Sequence, residues 1–336
     1  MDKKVNIALV GVGYWGPNLL RNFFQLDSVS VLAVCDLKQE NLDKMKKFYP
    51  AVNFTKNYED LINNPEIEAI VIATPVHSHF ALASKALENN KHVLLEKPMT
   101  STAQEAQRLI DLAKAKNKIL MVDHTFLYTG AIKKIKEMIV NNELGDLYYF
   151  SSQRINLGLI QEDVNVAWDL AVHDLSIMDY LIGEVPDRVS AIGTAHLGKN
   201  KEEMMHIMLR FNHRFSVYIF VSWLSPLKIR QMMIGGSKKM ILYDDIEPVE
   251  KVKIYDKSVT LNYDTNNMFW PLYREGDTYI PKLDQKEALK TECEHFIDCI
   301  INNKQPLTDG AAGLKIVKIL EAINLSLEKN GAEVNI

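Results

Sequence analysis

The chain has 336 residues, room for two domains and a sizeable buried core, and its 47% apolar and 24% charged content excludes a disordered polymer. Lys and Arg number 39 against 43 Asp and Glu, so the net charge of -4 carries no basic excess of the kind nucleic-acid binding calls for. Three cysteines, Cys35, Cys293 and Cys299, are too sparse for a disulfide framework or a metal site, which predicts a cytoplasmic protein with reduced thiols and no bound metal.

The N-terminus passes from Asp2-Lys3-Lys4 directly into a strand pattern, so no secretory signal is expected. Apolar runs such as Val5–Val10 and Ala69–Ala73 are strand-sized, far short of the roughly 18 residues that span a membrane. Strand patterns over Val5–Val10, Ser30–Cys35, Ala69–Ala73, His92–Leu95 and Ile119–Val122 alternate with helix patterns over Trp15–Leu26, Asn41–Phe48, Tyr58–Ile62, Phe80–Glu88 and Ala103–Lys116. Strict alternation with short connections predicts a parallel sheet covered on both faces. This first domain is expected to cover residues 1–123.

The pattern changes after His124, and residues 124–336 are expected to form a second domain whose C-terminal helices can pack back on the first. Helices are predicted over Ala131–Val140 and Leu170–Leu181, and strands over Leu147–Ile155, Arg188–Ala195, Met204–Phe211, Phe215–Trp223 and Ile229–Ile234. Asn212-His213 reads as a tight hairpin. Strands in succession predict an open, mostly antiparallel sheet. Residues 256–283, rich in Asn, Asp, Tyr and Pro, read as an irregular surface excursion, before helices over Lys286–Ile301 and Ala311–Leu327, the second capped at Thr308-Asp309. Strand Phe215–Trp223 is apolar on both parities, Tyr218 and Phe220 on one and Val217, Ile219 and Val221 on the other, so a homodimer or homotetramer is expected.

Gly11-Val12-Gly13-Tyr14-Trp15-Gly16 follows a strand and opens a helix, with Pro17 in the first turn. Gly11 would permit the tight turn, Gly13 the approach of a pyrophosphate, and Gly16 the helix–strand contact. Free N–H groups at the helix start favour phosphate. Asp36 ends the second strand, where a carboxylate accepts hydrogen bonds from ribose hydroxyls and repels a 2′-phosphate, favouring NAD over NADP even with Lys38 nearby. Thr74, Pro75 and His79 lie at the carboxyl end of another strand, the edge at which open parallel sheets gather ligands. His79 serves equally well there as a helix cap. Glu96-Lys97-Pro98 ends the next strand, where Lys97 is either half of a surface ion pair or a group that holds a substrate oxygen.

These three motifs, in this order and spacing, resemble the Gfo/Idh/MocA oxidoreductase family. Asp169-Leu170-Ala171-Val172-His173-Asp174 is similar to the family's D-x-G-x-H segment, with Ala171 where Gly is usual, and Gln305–Gly310 resembles a C-terminal family signature. The resemblance implies a Rossmann domain followed by an α/β domain whose sheet holds substrate and often an oligomer interface. It further implies NAD(P)-linked chemistry on a sugar, inositol or sugar nucleotide, with Lys97, His173 and Asp169 as the catalytic set and Gly11, Gly13, Tyr14, Trp15, Gly16, Asp36, Thr74, Pro75, His79, Glu96 and Lys97 around the cofactor. From the residues alone, Asp169 and His173 share a helix face and suit proton exchange, yet without the resemblance a capping Asp and a half-buried His is the preferred reading.

His124, Tyr128, Arg154, Asn156 and Trp168 are candidate substrate residues; Arg154 and Asn156 share one strand face, and Trp168 is either a sugar-stacking platform or a packed aromatic. The openings Gly13–Leu19 and Trp168–Leu175 resemble the branch associated with surface-polysaccharide sugars, which implies an NAD-dependent dehydrogenase acting on a nucleotide sugar. A free sugar or inositol dehydrogenase is the alternative enzyme, and a non-catalytic NAD-binding regulator the alternative class.

Overall fold

The computed structural model describes residues 4–197, 201–211, 215–263 and 269–336. The chain divides into two units, one formed by Met1–Tyr128 and Lys286–Lys318, the other by Thr129–Gln285 and Ile319–Ile336.

The first unit alternates β1 (Val5–Val10), α1 (Gly16–Phe24), β2 (Val29–Cys35), α2 (Gln39–Lys46), β3 (Asn53–Thr55), α3 (Tyr58–Ile62), β4 (Ala69–Ile72), α4 (His79–Glu88), β5 (His92–Glu96), α5 (Ala103–Ala115) and β6 (Leu120–Asp123). All six strands pair in parallel in the order β3-β2-β1-β4-β5-β6. Ile7, Leu9, Ile70, Val71, Val93 and Leu94 are fully buried, as a sheet covered on both faces requires. Chain order reverses between β1 and β4, so the ends of Val10, Ile72 and Glu96 lie at the switch point where open α/β sheets hold ligands.

The second unit opens with α6 (Gly130–Val140) and β7 (Leu147–Leu157), then a π-helical turn at Ala167–Ala171 that leads into α7 (Val172–Ile182). The spacing predicts a helix over Leu170–Leu181; the structure starts it earlier, as a wide turn in which Asn165 Oδ1 accepts from the N–H groups of Ala167 at 3.2 Å and Trp168 at 3.4 Å. Next come β8 (Arg188–Thr194), β9 (Met204–Phe211), β10 (Phe215–Ser222), β11 (Leu224–Gly236), β12 (Met240–Asp244), β13 (Val252–Tyr263) and β14 (Phe269–Tyr279). With the C-terminal β15 (Val334–Asn335), these strands form a nine-stranded sheet in the order β14-β13-β12-β11-β7-β10-β9-β8-β15. Every pairing in it is antiparallel except β7 with β10.

The expectation of an irregular excursion over residues 256–283 is overturned, because most of that stretch is the β13–β14 pair. The Asn212-His213 hairpin lies outside the described residues. Two helices, α8 (Ala288–Asn302) in the first unit and α9 (Gly310–Glu328), follow. Asp309 Oδ1 accepts from Ala312 N at 2.9 Å, the cap the sequence suggests.

One face of the large sheet is buried and the other is not. Val217, Ile219, Val221, Phe150, Ile234 and Ile241 point inward and are at most 3% exposed. On the opposite parity Tyr218, Met233 and Ile192 stay 46%, 46% and 63% exposed, and His206 stacks on Phe220 at 4.3 Å.

Candidate active site

The turn after β1 is shaped by three glycines with three different reasons. Gly11 has φ +87°, and a Cβ there would sit 2.4 Å from the Ala73 carbonyl oxygen. A Cβ on Gly16 would lie 1.9 Å from the Gly11 oxygen, so only glycine lets α1 start against the turn. A Cβ on Gly13 would meet nothing within 4 Å, leaving an open, exposed cradle at the start of α1. Pro17 occupies the first helical turn and Tyr14 is 83% exposed beside it. This fits a dinucleotide pyrophosphate approached by free helix N–H groups.

Asp36 closes the far side. Its Oδ2 accepts from Val12 N at 2.8 Å and Asn41 Nδ2 at 3.1 Å, and its Oδ1 from Lys38 N at 2.8 Å. The carboxylate is therefore fixed at the end of β2, tied to the glycine turn itself, with one lone-pair site on Oδ1 left for a ribose hydroxyl.

Two neighbouring loops continue the edge. After β4, Thr74 Oγ1 lies 2.7 Å from Ser78 Oγ, with Pro75 exposed. After β5 come Glu96 and Lys97, both half-buried, and a cis Lys97-Pro98 peptide. His79 joins the two: its Nε2 lies 2.7 Å from the Thr74 carbonyl and its Nδ1 3.0 Å from that of Pro98. The ring is fully buried. Burial pushes its pKa below the ordinary histidine value, while the carbonyls of Thr74, Pro98 and Met99 pull the other way. His79 thus holds the loops that carry Thr74 and Lys97 from behind.

At the end of β6 the Trp15 indole of the glycine turn donates to Asp123 Oδ2 at 3.1 Å, and Asp123 Oδ1 accepts from Thr125 N at 3.3 Å and from the Thr125 hydroxyl. His124 is 2% exposed, and neither ring nitrogen has a hydrogen-bond partner among the described residues. Burial, with Lys97 adding to it, lowers His124 to about 3 and keeps the ring neutral. Tyr128 is 4% exposed and its hydroxyl lies 3.2 Å from Thr308 Oγ1. Burial raises its pKa, with Glu292 adding to the effect, so the phenol stays protonated.

In the second unit Asp169 sits in the π turn and His173 one turn on, in α7. Asp169 Oδ2 accepts from Trp223 Nε1 at 3.0 Å. π turns inside helices recur at functional sites because they turn side chains out of the ordinary register. Beside His173, Asp174 takes both Nε and Nη2 of Arg154, at 3.1 and 3.0 Å, with side chains 1% and 2% exposed. Burial raises the Asp174 carboxyl against the pull of Arg154; on the arginine side burial acts to lower, yet Asp174 holds the guanidinium above its ordinary value. This pair pins α7 to β7 from inside. Trp168 is 6% exposed, with its indole 3.3 Å from Asn324 Oδ1, and is a packed aromatic within its unit. Asn156 is half-buried on β7.

Sequence reasoning missed Asp123, Asn165, Asp174 and Trp223. Asn165 carries a usable signal, a capping residue directly before an apolar run. Asp123 carries a weaker one, an acid ending an apolar strand at the ligand edge.

A glycine-cradled turn, an acid at the end of β2 and a half-buried lysine at the same edge define a dinucleotide-binding oxidoreductase scaffold. Residues 5–124 match a family described as "Oxidoreductase family, NAD-binding Rossmann fold", and residues 136–336 match its C-terminal alpha/beta domain. The chain belongs to the Gfo/Idh/MocA oxidoreductase family. It is 24% identical over 274 residues to UDP-N-acetylglucosamine 3-dehydrogenase of Acidithiobacillus ferrooxidans, covering 78% of this chain and 80% of that one. A solved structure of that enzyme superposes with a TM-score of 0.83 at 22% identity, over 98% of this chain and 99% of that one. Myo-inositol 2-dehydrogenase of Thermotoga maritima is 23% identical over 344 residues and 97% of each chain.

Proposed function

We propose that this protein is an NAD-dependent dehydrogenase that acts on a secondary hydroxyl of a sugar, and that the sugar is nucleotide-activated. The observation that carries the cofactor choice is Asp36, anchored at the end of β2 by Val12 N and Lys38 N. When bound, the nicotinamide supplies the hydride-accepting carbon. His173 takes the hydroxyl proton as general base, Asp169 orients it from one turn before, and Lys97 holds the substrate oxygen through a charge-assisted hydrogen bond. His124 and Asn156 are substrate contacts in this reading. Arg154, Tyr128 and Trp168, each buried and bonded to Asp174, Thr308 and Asn324, act as positioning residues instead. Screening UDP-, GDP- and dTDP-sugars with NAD and NADP at the reduced-nicotinamide band tests the proposal; turnover of only free sugars or inositols refutes the nucleotide-sugar part.

Wild type should show a higher kcat/KM with NAD than with NADP. Asp36→Ser should narrow that gap, since one charge-assisted hydrogen bond contributes about 1.5–3 kcal/mol and the repulsion of a 2′-phosphate also goes. A wild-type preference for NADP sinks the assignment.

The half-exposed apolar face of the nine-stranded sheet, with Tyr218, Phe220 and Met233, is the surface we assign to self-association into a homodimer or homotetramer. Sedimentation at micromolar concentration should show an oligomer, and Tyr218→Glu with Met233→Glu should dissociate it. A wild-type monomer is the opposing result.

A further inference from the structure

We propose that Asp123 and Glu292 form a carboxyl pair that shares one proton, and that this pair positions the Trp15 indole and with it the phosphate-binding turn Gly11–Gly16. The positioning half rests on the dinucleotide reading of that turn.

The helical spacing of α8 sets up the anomaly. Leu289, Glu292, Cys293 and Phe296 form one buried stripe, and Glu292, the acid in it, is 0% exposed. No N–H or O–H of a described residue donates to either of its carboxyl oxygens. It faces the Asp123 carboxyl and the Thr125 hydroxyl, and that hydroxyl already donates to Asp123. Asp123 is itself 2% exposed. Two buried carboxylates in contact, with the one hydroxyl proton between them already given to Asp123, repel strongly in a low-dielectric interior. One proton removes the conflict: a neutral Glu292 donates its O–H to the Asp123 carboxylate, and both groups are satisfied. Aspartic proteases share a proton between two carboxyl groups for the same reason.

The surroundings favour the proton staying. Burial raises Glu292 well above the ordinary glutamate value, and Asp123 and then Glu96 add negative charge on the same side. Tyr128, from the turn after β6, and Cys293 on its own helix also sense Glu292, and both are held protonated by burial. From the glycine turn ahead of α1, the neutral Trp15 indole acts through Asp123. The helix carrying Glu292 is clamped to α1 by Arg21 to Glu287 and by Asn22 Nδ2 to Glu287 Oε1 at 3.1 Å, with Phe23 against Phe296 at 6.3 Å. The chain Glu292 to Asp123 to Trp15 therefore runs from α8 through β6 to the glycine turn.

A carboxyl group raised in the folded state takes up a proton on folding above the ordinary glutamate value of about 4.3, so it makes the protein less stable as pH rises through that window toward the folded value. Glu292→Gln supplies a permanent amide donor and cannot titrate. Its Tm should exceed that of wild type by a margin that grows as pH rises above the ordinary glutamate value of about 4.3, with NADH affinity retained. Glu292→Leu keeps the volume and removes the donor; NADH should bind about tenfold more weakly, read by energy transfer from tryptophan. In a Trp15→Phe background the same Leu substitution should change NADH affinity little, since both act through one contact. A Tm difference between Gln variant and wild type that is flat with pH overturns the shared proton. Full additivity of Glu292→Leu with Trp15→Phe overturns the positioning role. A wild type that binds neither NADH nor NADPH overturns the dinucleotide reading and the positioning role together, while the Tm series still judges the proton alone.

Discussion

Replacement of His173 by alanine is expected to lower kcat by about 10²–10⁴, the range for loss of a positioned general base, while NAD affinity changes little. The two effects separate because the glycine turn, Asp36, Thr74 and Lys97 belong to the first unit and His173 to the second. Lys97→Ala should impair kcat and KM together, because the ammonium both holds the substrate oxygen and stabilises the charge that develops there. Asp169→Asn should cost less, since Trp223 Nε1 can still bond the side-chain oxygen and keep the residue in place. Steady-state kinetics with a turning-over sugar substrate, beside NADH titration of all three variants, makes the comparison. If His173→Ala keeps near-normal turnover, another group moves the proton; His124, buried next to Lys97 and neutral, would then be the first to replace.

The largest stability effect is expected at Arg154. Arg154→Met strands the Asp174 carboxylate, 1% exposed, without its two donors, and breaking a buried pair from one side costs about 3–5 kcal/mol. The double variant with Asp174→Leu should recover most of that loss, because an apolar pair of similar volume carries no desolvation penalty. The sign of the pH dependence follows from burial, which raises Asp174 once Arg154 no longer opposes it. The deficit of the single variant should therefore be largest at neutral pH and shrink as pH falls toward the ordinary aspartate value of about 3.9. Urea unfolding of wild type, single and double variants across pH reads this directly. Because Asp174 adjoins His173 on α7, the single variant should lose kcat as well.

The first unit was legible because each strand buries both faces and so prints a continuous apolar run, as in Ala69–Ile72. β3 escaped because three residues, Asn53–Thr55, carry no period at all. β13 and β14 escaped for a different reason. Trp270–Tyr279 is exposed throughout, so no half-buried alternation exists to be read, and Pro271 lies on what is an edge strand of the sheet. Their pairing is a tertiary fact, settled by register with β12 rather than by local preference.

The candidate site divides in the same way. Gly11, Gly13, Gly16 and Asp36 announce their roles by position after a strand, whereas the partners that hold them come from distant segments. Arg154 reads as a substrate contact because it shares a strand face with Asn156; the structure buries it, and what parity does not show is Asp174, 20 residues on. Glu292 carried a visible signal, an acid on the apolar stripe of α8, but its meaning depends on Asp123 across the fold.

The bridge made by His79 makes a linkage, in the engineer's sense, out of two loops that the chain separates by a whole helix and strand. Thr74 stands at one end of it and Pro98, next to Lys97, at the other. Both contacts are sealed from water, where no solvent molecule is at hand to replace one that breaks. Both ring nitrogens face carbonyl oxygens, so a neutral imidazole fastens one end of the rod and a protonated one fastens both. The stiffness of this edge of the sheet is thus set by a single proton on one buried side chain.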